Sequence, residues 1–225
     1  MTPWPPRSVV AVCAHPDDES FGMGALLAAL SLAGTSVGVV TFTAGEASTL
    51  GAALGPLAEV RSLEMAEAAE VLGVRQTVLL DYPDGRLDET PLEKLSGHVV
   101  SLADDMAAEA LLAFDLGGVT GHPDHQRATE AALAAARELA IPVLGWAVRS
   151  DVAAALNTEF LTTFVGREPE EVDMNLTVDR ELQLRAIACH RSQSGDNPVL
   201  WRRLEATGEV EPLRWLHRPS AQLSA

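Results

Sequence analysis

The sequence predicts an α/β fold of the Rossmann-like, three-layer kind. A mostly parallel central sheet is expected with helices on both faces, followed by a smaller, irregular C-terminal β/α portion. Two observations carry this. Through the first two-thirds of the chain, short apolar runs alternate with longer helical patterns, and strands covered on both faces read as such continuous runs. No internal repeat, low-complexity tract or linker interrupts the 225 residues, which suffice for one sizeable core, so residues 1–225 are expected to form a single domain.

The elements follow in order. Strands are expected at about 8–14 ("SVVAVCA"), 36–43, 76–81, 110–115 and 142–148, with helices between them. "GMGALLAALSLAG" at 22–34 is apolar nearly all round and stops on Gly34, as a buried helix would. "PLAEVRSLEMAEAAEVLG" at 56–73 reads as an amphipathic helix opening at Pro56 and closing at Gly73, with Glu59, Glu67 and Glu70 on its polar face. "QRATEAALAAARELA" at 126–140 is a further helix. Beyond about residue 150, "EFLTTFVG" and "DMNLTV" read as short strands around the acidic turn "REPEE". A helix through "RELQLRAIACHRSQ" follows, with Asp179 as its N-cap, and Trp201 and Trp215 in the tail are expected as packing anchors.

Sixteen Lys and Arg against thirty-two Asp and Glu give a formal charge of −16, which argues against nucleic acid or an anionic membrane as partner. A neutral or cationic small substrate fits better. Cys13 and Cys189 stand far apart, outside any C-x-x-C pair, so neither a disulfide framework nor a cysteine-built zinc site is indicated. The apolar run near the start is too short for a signal peptide, and no stretch approaches a membrane span, so a cytoplasmic protein is expected. A homo-oligomer is compatible with the sequence but not indicated by it.

In an open parallel sheet, functional groups collect at the carboxyl ends of the strands. "HPDDE" at 15–19 sits at such an end, and its three carboxylates would repel one another without a compensating cation or hydrogen bonds. "HPDH" at 122–125 follows the strand "ALLAFD", with Pro123 placed as a first-turn helical proline and His122 near the N-cap. If the first and fourth strands are neighbours, the two turns share one rim. His15, Asp18 and His125 then form a three-ligand set suited to Zn²⁺, with a fourth position left for water. Asp17 is left as the general base, and His122, as an imidazolium, as the group that stabilises an oxyanion or protonates a leaving amine. A histidine at a helix start is by itself a common cap, and a DDE triplet a common solvated turn; two clusters at two strand-to-helix junctions make the metal reading the stronger one.

The paired motifs "AHPDDE" at 14–19 and "GHPDH" at 121–125 resemble the PIG-L (LmbE-like) zinc deacetylases, which remove acetyl groups from N-acetylglucosamine derivatives. "FTAGEAST" at 42–49, "EVRSLEMAEAAEVLGV" at 59–74, "DYPDGRL" at 81–87 and "HRSQ" at 190–193 resemble further segments of that family in the same order, so the likeness spans about residues 8–193. It implies one zinc per chain on His15, Asp18 and His125, Asp17 as base and His122 as charged stabiliser. It also suggests Glu46, Arg61 and Asp84 as sugar-contacting or loop-fixing residues, while His190 is expected to be structural. The activity so implied is hydrolysis of an N-acyl group from an N-acetylglucosamine-type amino sugar or its conjugate. Alternatives are an amidase acting on a thiol-cofactor conjugate, a metal-dependent phosphoesterase, and a non-catalytic carbohydrate-binding protein on the same scaffold. Two rival signals fail on context. "GTSVG" at 34–38 puts its serine before a strand rather than after one, and "GMG" at 22–24 lacks the third glycine of a dinucleotide fingerprint.

Overall fold

The computed structural model describes residues 4–51 and 56–219. Strand β1 (Ser8–Cys13) is buried along its whole length, and its alternation feeds two separate cores. Val9, Ala11 and Cys13 join one cluster, packed with Leu26 and Leu27 of α2 (Gly24–Leu32) and Met65 of α3 (Leu57–Leu72). Val10 and Val12 join the other, with Leu95 and Val99 of α4 (Leu92–Asp105) and Ala131 and Ala132 of α6 (Pro123–Leu139). Side chains of period two on a strand with apolar residues at every position require helices on both faces, which gives three layers. The short helices α1 (Asp18–Phe21) and α5 (Gly118–Gly121) lead into α2 and α6.

The strands β2 (Ser36–Thr43), β3 (Gln76–Tyr82), β4 (Ala110–Phe114) and β5 (Val143–Trp146) fall where the sequence places them. Sheet order is β3-β2-β1-β4-β5, all parallel, continued by β9 (Val210–His217) antiparallel to β5 and β8 (Met174–Thr177) antiparallel to β9. The chain therefore runs outward from β1 in one direction and returns to β4 on its other side. That reversal opens a crevice at the carboxyl ends of β1 and β4, the place where open α/β sheets bind ligands.

The C-terminal third departs from expectation. Residues 159–166 do not form a strand: the alanine-rich segment before them carries helix α7 (Ser150–Phe160) through Glu159 and Phe160, and only Gly166–Arg167 (β7) pairs, with Val148–Arg149 (β6). Asn157 explains the stop, since its Oδ1 accepts the Phe164 N–H at 2.7 Å and ties the following loop back onto the helix. Helix α8 (Glu181–Cys189) begins two residues after Asp179, whose carboxylate accepts the Glu181 N–H at 2.8 Å. A single turn, α9 (Arg191–Ser194), continues beyond His190. Helix α10 (Pro198–Thr207) and β9 were not foreseen, because "VEPLRWLH" carries a proline and mixed polarity; β5 supplies the pairing that turns it into a strand. No helix among the described residues is long and apolar enough to cross a membrane.

Candidate metal centre and its cleft

β1 ends and HPDDE begins at the crevice, and β4 delivers the 117–121 loop and the start of α6 to the same edge. Asp18 is positioned by backbone: its Oδ2 accepts the N–H groups of Ala14 and His15, each at 2.9 Å. Its other oxygen, Oδ1, lies 3.1 Å from His125 Nε2. His125 is oriented from behind by the Gly118 carbonyl, 2.9 Å from its Nδ1. Aiming that carbonyl requires positive φ at Gly118 (64°) and at Val119 (62°), a costly conformation for a β-branched residue. With Nδ1–H donated to Gly118, the lone pair of His125 sits on Nε2 and faces the crevice.

His15 is arranged in mirror fashion. Its Nε2 lies 3.0 Å from Asp84 Oδ1 and 3.4 Å from Asp124 Oδ2, so that nitrogen carries a proton and Nδ1 is the atom left to face the crevice. Nδ1 of His15 and Nε2 of His125 are 3.2 Å apart. Nδ1 of His15, Nε2 of His125 and an Asp18 oxygen thus converge, and positive charge among them, a second proton on His15 or a metal ion in its place, offsets their repulsion. Burial, the largest influence on His15, disfavours its charge, yet hydrogen bonds to Asp124 and Asp84 and the Asp18 charge outweigh it and push the pKa up to about 10. Burial opposes ionisation of Asp18 too, but His125 and His15 hold its carboxyl well below the usual carboxylate range. Such a surround seeks a cation, and the donor set of two imidazoles and one carboxylate fits a divalent metal. A second grouping, His15, His122 and Asp124, is close enough to be considered. Its donors are already engaged: Asp124 accepts the N–H groups of Gly85 (2.7 Å) and Leu87 (3.1 Å), and His122 Nδ1 accepts the Asp124 N–H (3.2 Å).

Asp17 stands beside this centre in a strained backbone, φ 120°, which L residues rarely adopt. Arg61 holds it there. One guanidinium nitrogen of Arg61 donates to the Asp17 carboxylate (3.0 Å) and to the Pro16 carbonyl, and the other to the Gly45 carbonyl (2.6 Å). Gly45 has to be glycine, since a Cβ there would fall 2.1 Å from Arg61 Nη1 and φ is +66°. Burial pushes the Asp17 pKa up to about 6 against the opposing pull of Arg61. His122 caps α6 as the sequence suggests. Burial, with the charges of His15 and His125, pulls its pKa down, so the imidazolium expected from the sequence is disfavoured and the neutral ring, with Nδ1 as acceptor, is the form this geometry holds.

The remaining sequence candidates meet nearby. Asp84 bridges His15 and the Ala47 N–H (2.9 Å), and Glu46 accepts the Asp84 N–H (3.0 Å), so these two carboxylates pin the 45–48 and 83–85 loops together. Arg61 has partners in Asp17 and two carbonyls rather than in Glu59 or Glu64; Glu64 instead receives Ser192 Oγ (2.6 Å). Three further residues carry no role in the sequence reading. Asp124 lies inside the quoted HPDH motif, and its fully buried carboxylate orients His15. Glu19, the last residue of HPDDE, is fully buried and meets His190 at 2.7 Å, while its other oxygen accepts the Asp17 N–H. Arg203 had no local signal at all.

The Glu19–His190 pair ties the HPDDE turn to the end of α8. His190→Ala would strand a buried carboxylate, and it is expected to cost about 3 kcal/mol of unfolding free energy. Urea denaturation measures it, and a loss below about 1 kcal/mol, the scale of an exposed pair, would contradict a buried ion pair here.

His15, Asp17, Asp18, Arg61, Asp84, His122 and His125 all line one cleft of about 420 Å³, together with Phe114 and Trp146.

Comparison with known proteins comes in three findings. The family model described as PIG-L: GlcNAc-PI de-N-acetylase matches residues 10–136. A 1D-myo-inositol 2-acetamido-2-deoxy-alpha-D-glucopyranoside deacetylase of Kineococcus radiotolerans is 32% identical over 164 residues, 58% of this chain and 45% of that protein. The chain spans about half the length of the first curated relatives it matches. Among solved structures, N,N'-diacetylchitobiose deacetylase from Pyrococcus horikoshii superposes with a TM-score of 0.68 at 23% identity, covering 97% of this chain and 89% of that one. The 4-carboxy-2-hydroxymuconate hydratase GalB from Pseudomonas putida superposes with a TM-score of 0.71 at 16% identity, covering 97% and 100%. A deacetylase and a hydratase on one architecture mean that the fold alone does not select the reaction.

Proposed function

Since the chain belongs to the PIG-L, or GlcNAc-PI de-N-acetylase, family, we propose that it is a zinc-dependent hydrolase that removes an N-acyl group, acetyl in the first instance, from an N-acetylglucosamine-type amino sugar or its conjugate. One observation carries the reading: two imidazole nitrogens and a carboxylate oxygen converge beside a second carboxylate, that of Asp17, at the wall of a cleft. His15, Asp18 and His125 would hold the ion, and zinc is proposed because a set of two imidazoles and one carboxylate is the ligand type of catalytic zinc. When bound, the ion supplies Lewis-acid polarisation and makes water more acidic.

The chain's own residues account for the proton movements. Asp17, with a pKa of about 6, is ionised at neutral pH and still basic enough to accept the proton of an attacking water. Arg61 fixes the rotamer and position of that carboxylate, so the proton is taken along one direction. His122 is proposed to donate from Nε2–H, as the neutral tautomer, to the carbonyl oxygen as negative charge gathers there. Asp17 then returns its proton to the departing amine. Glu46 and Asp84 hold the loops lining the sugar side of the cleft, with Asp84 also orienting His15. A cytoplasmic setting is part of the reading, supported by the free thiols Cys13 and Cys189.

The test is release of free amine from N-acetylglucosamine, diacetylchitobiose and N-acetylglucosaminyl inositol by the zinc-loaded protein. Amine release from at least one of them is expected, lost on chelation and regained on adding zinc. Folded, zinc-loaded protein that liberates no amine from any of the three would refute the amino-sugar reading.

A further inference from the structure

The cleft is also lined by apolar side chains, Phe21, Phe114, Trp146, Phe164 and Leu200, and beside them by Arg203 of α10. A row of rings connects it to the metal centre: Phe114 lies 5.0 Å from the His125 ring, Trp146 lies 5.3 Å from Phe114, and the Arg203 guanidinium sits 5.1 Å over Trp146. Arg203 is only 6% exposed. Its Nη2 donates to the Phe21 carbonyl, yet no carboxylate among the described residues forms an ion pair with it. The nearby Glu211 is already taken, with one oxygen on Arg180 and the other on the Trp146 indole N–H. Among the described residues two guanidiniums share one carboxylate there, which leaves Arg203 without a carboxylate of its own, in a chain of net charge −16.

A buried, uncompensated charge is expensive, and packing against Trp146 would be served as well by Leu or Met. The nitrogens Nε and Nη1 of Arg203 donate to nothing among the described residues. The residue lines the cleft. Burial pushes its pKa down only to about 10, so the charge persists at neutral pH.

We propose that Arg203 is a specificity-determining residue that binds an anionic group of the substrate, a carboxylate or phosphate, at the end of the cleft away from the scissile amide. A planar fork with free nitrogens beside an aromatic face suits either anion. The proposal deepens the amino-sugar reading and rests on it for the scaffold that carries the anion. It also reverses locally what the overall charge suggests, since an acidic chain here offers its substrate a cation.

Calorimetric titration of the zinc-loaded full chain tests it with four probes: N-acetylglucosamine, N-acetylmuramic acid, N-acetylglucosamine 6-phosphate and benzoate. One of the two anionic sugars is expected to bind at least about tenfold more tightly than the neutral sugar, the worth of one charge-assisted contact, and which of them does so separates carboxylate from phosphate. R203Q and R203M, the latter keeping the stem over Trp146, should abolish that advantage and leave the neutral sugar within about twofold of wild type, as a single lost contact requires. R203K should keep part of it. Equal binding of neutral and anionic sugars by the wild type, or a preference surviving in both R203Q and R203M, overturns the proposal. If no sugar binds but benzoate binds the wild type and not R203M, the anion site stands and the amino-sugar reading falls; if benzoate fails as well, both fall.

Discussion

Asp17→Asn is expected to lower kcat by about 10²- to 10⁴-fold, the usual worth of a general base, while the purified protein keeps its full metal content. Asparagine matches the shape of the carboxylate and still offers Arg61 an acceptor. It is also among the residues that tolerate positive φ, so the strained turn at Asp17 should survive. The proposed ligands, His15, Asp18 and His125, keep every contact. What is lost is the basic site that burial raises toward neutrality. Kinetics alongside metal analysis by inductively coupled plasma separates the outcomes. Near-normal turnover would remove Asp17 from the base role, whereas lost metal would mean that Asp17 belongs to the ligand set.

His125→Ala should have the larger consequence. It deletes one of three donors, leaving His15 and Asp18 as a two-point site, and also frees the Gly118 carbonyl that oriented the ring. Bound metal should fall below about 0.1 per chain after dialysis, and amine release by at least about 10³-fold, because both polarisation and water activation go with the ion. His125→Gln, which keeps a polar side chain over Phe114, guards against a simple packing defect. A full equivalent of metal in both variants would sink the proposed ligand set. Metal loss in His122→Ala instead would favour the second grouping, of His15, His122 and Asp124.

These variants probe features that differ in how openly the chain displays them. The five parallel strands were legible because each is a short apolar run between helical patterns, and local periodicity carries that directly. HPDDE and HPDH were legible because carboxylates and imidazoles at strand ends are chemically out of place. The segment 159–166 misled, since β-branched and aromatic residues there resemble a strand; among the described residues only Gly166, at its end, finds a partner strand, and Asn157 instead folds the rest onto α7. For β9 the reverse held, with an unpromising segment recruited by the open edge of β5.

The same division runs through the site. From the sequence alone came the α/β layering, the two acidic and imidazole-bearing turns and the chemistry they suit, since those follow from neighbours along the chain. Tertiary structure alone decided that His15 meets His125 across 110 positions and Glu19 meets His190 across 171, that Arg61 braces Asp17 rather than Glu59 or Glu64, and that Arg203 pairs with no carboxylate among the described residues. Such meetings depend on sheet order, here β1 lying between β2 and β4, and sheet order is set by which surfaces bury one another across the whole fold, an outcome no local window of residues contains.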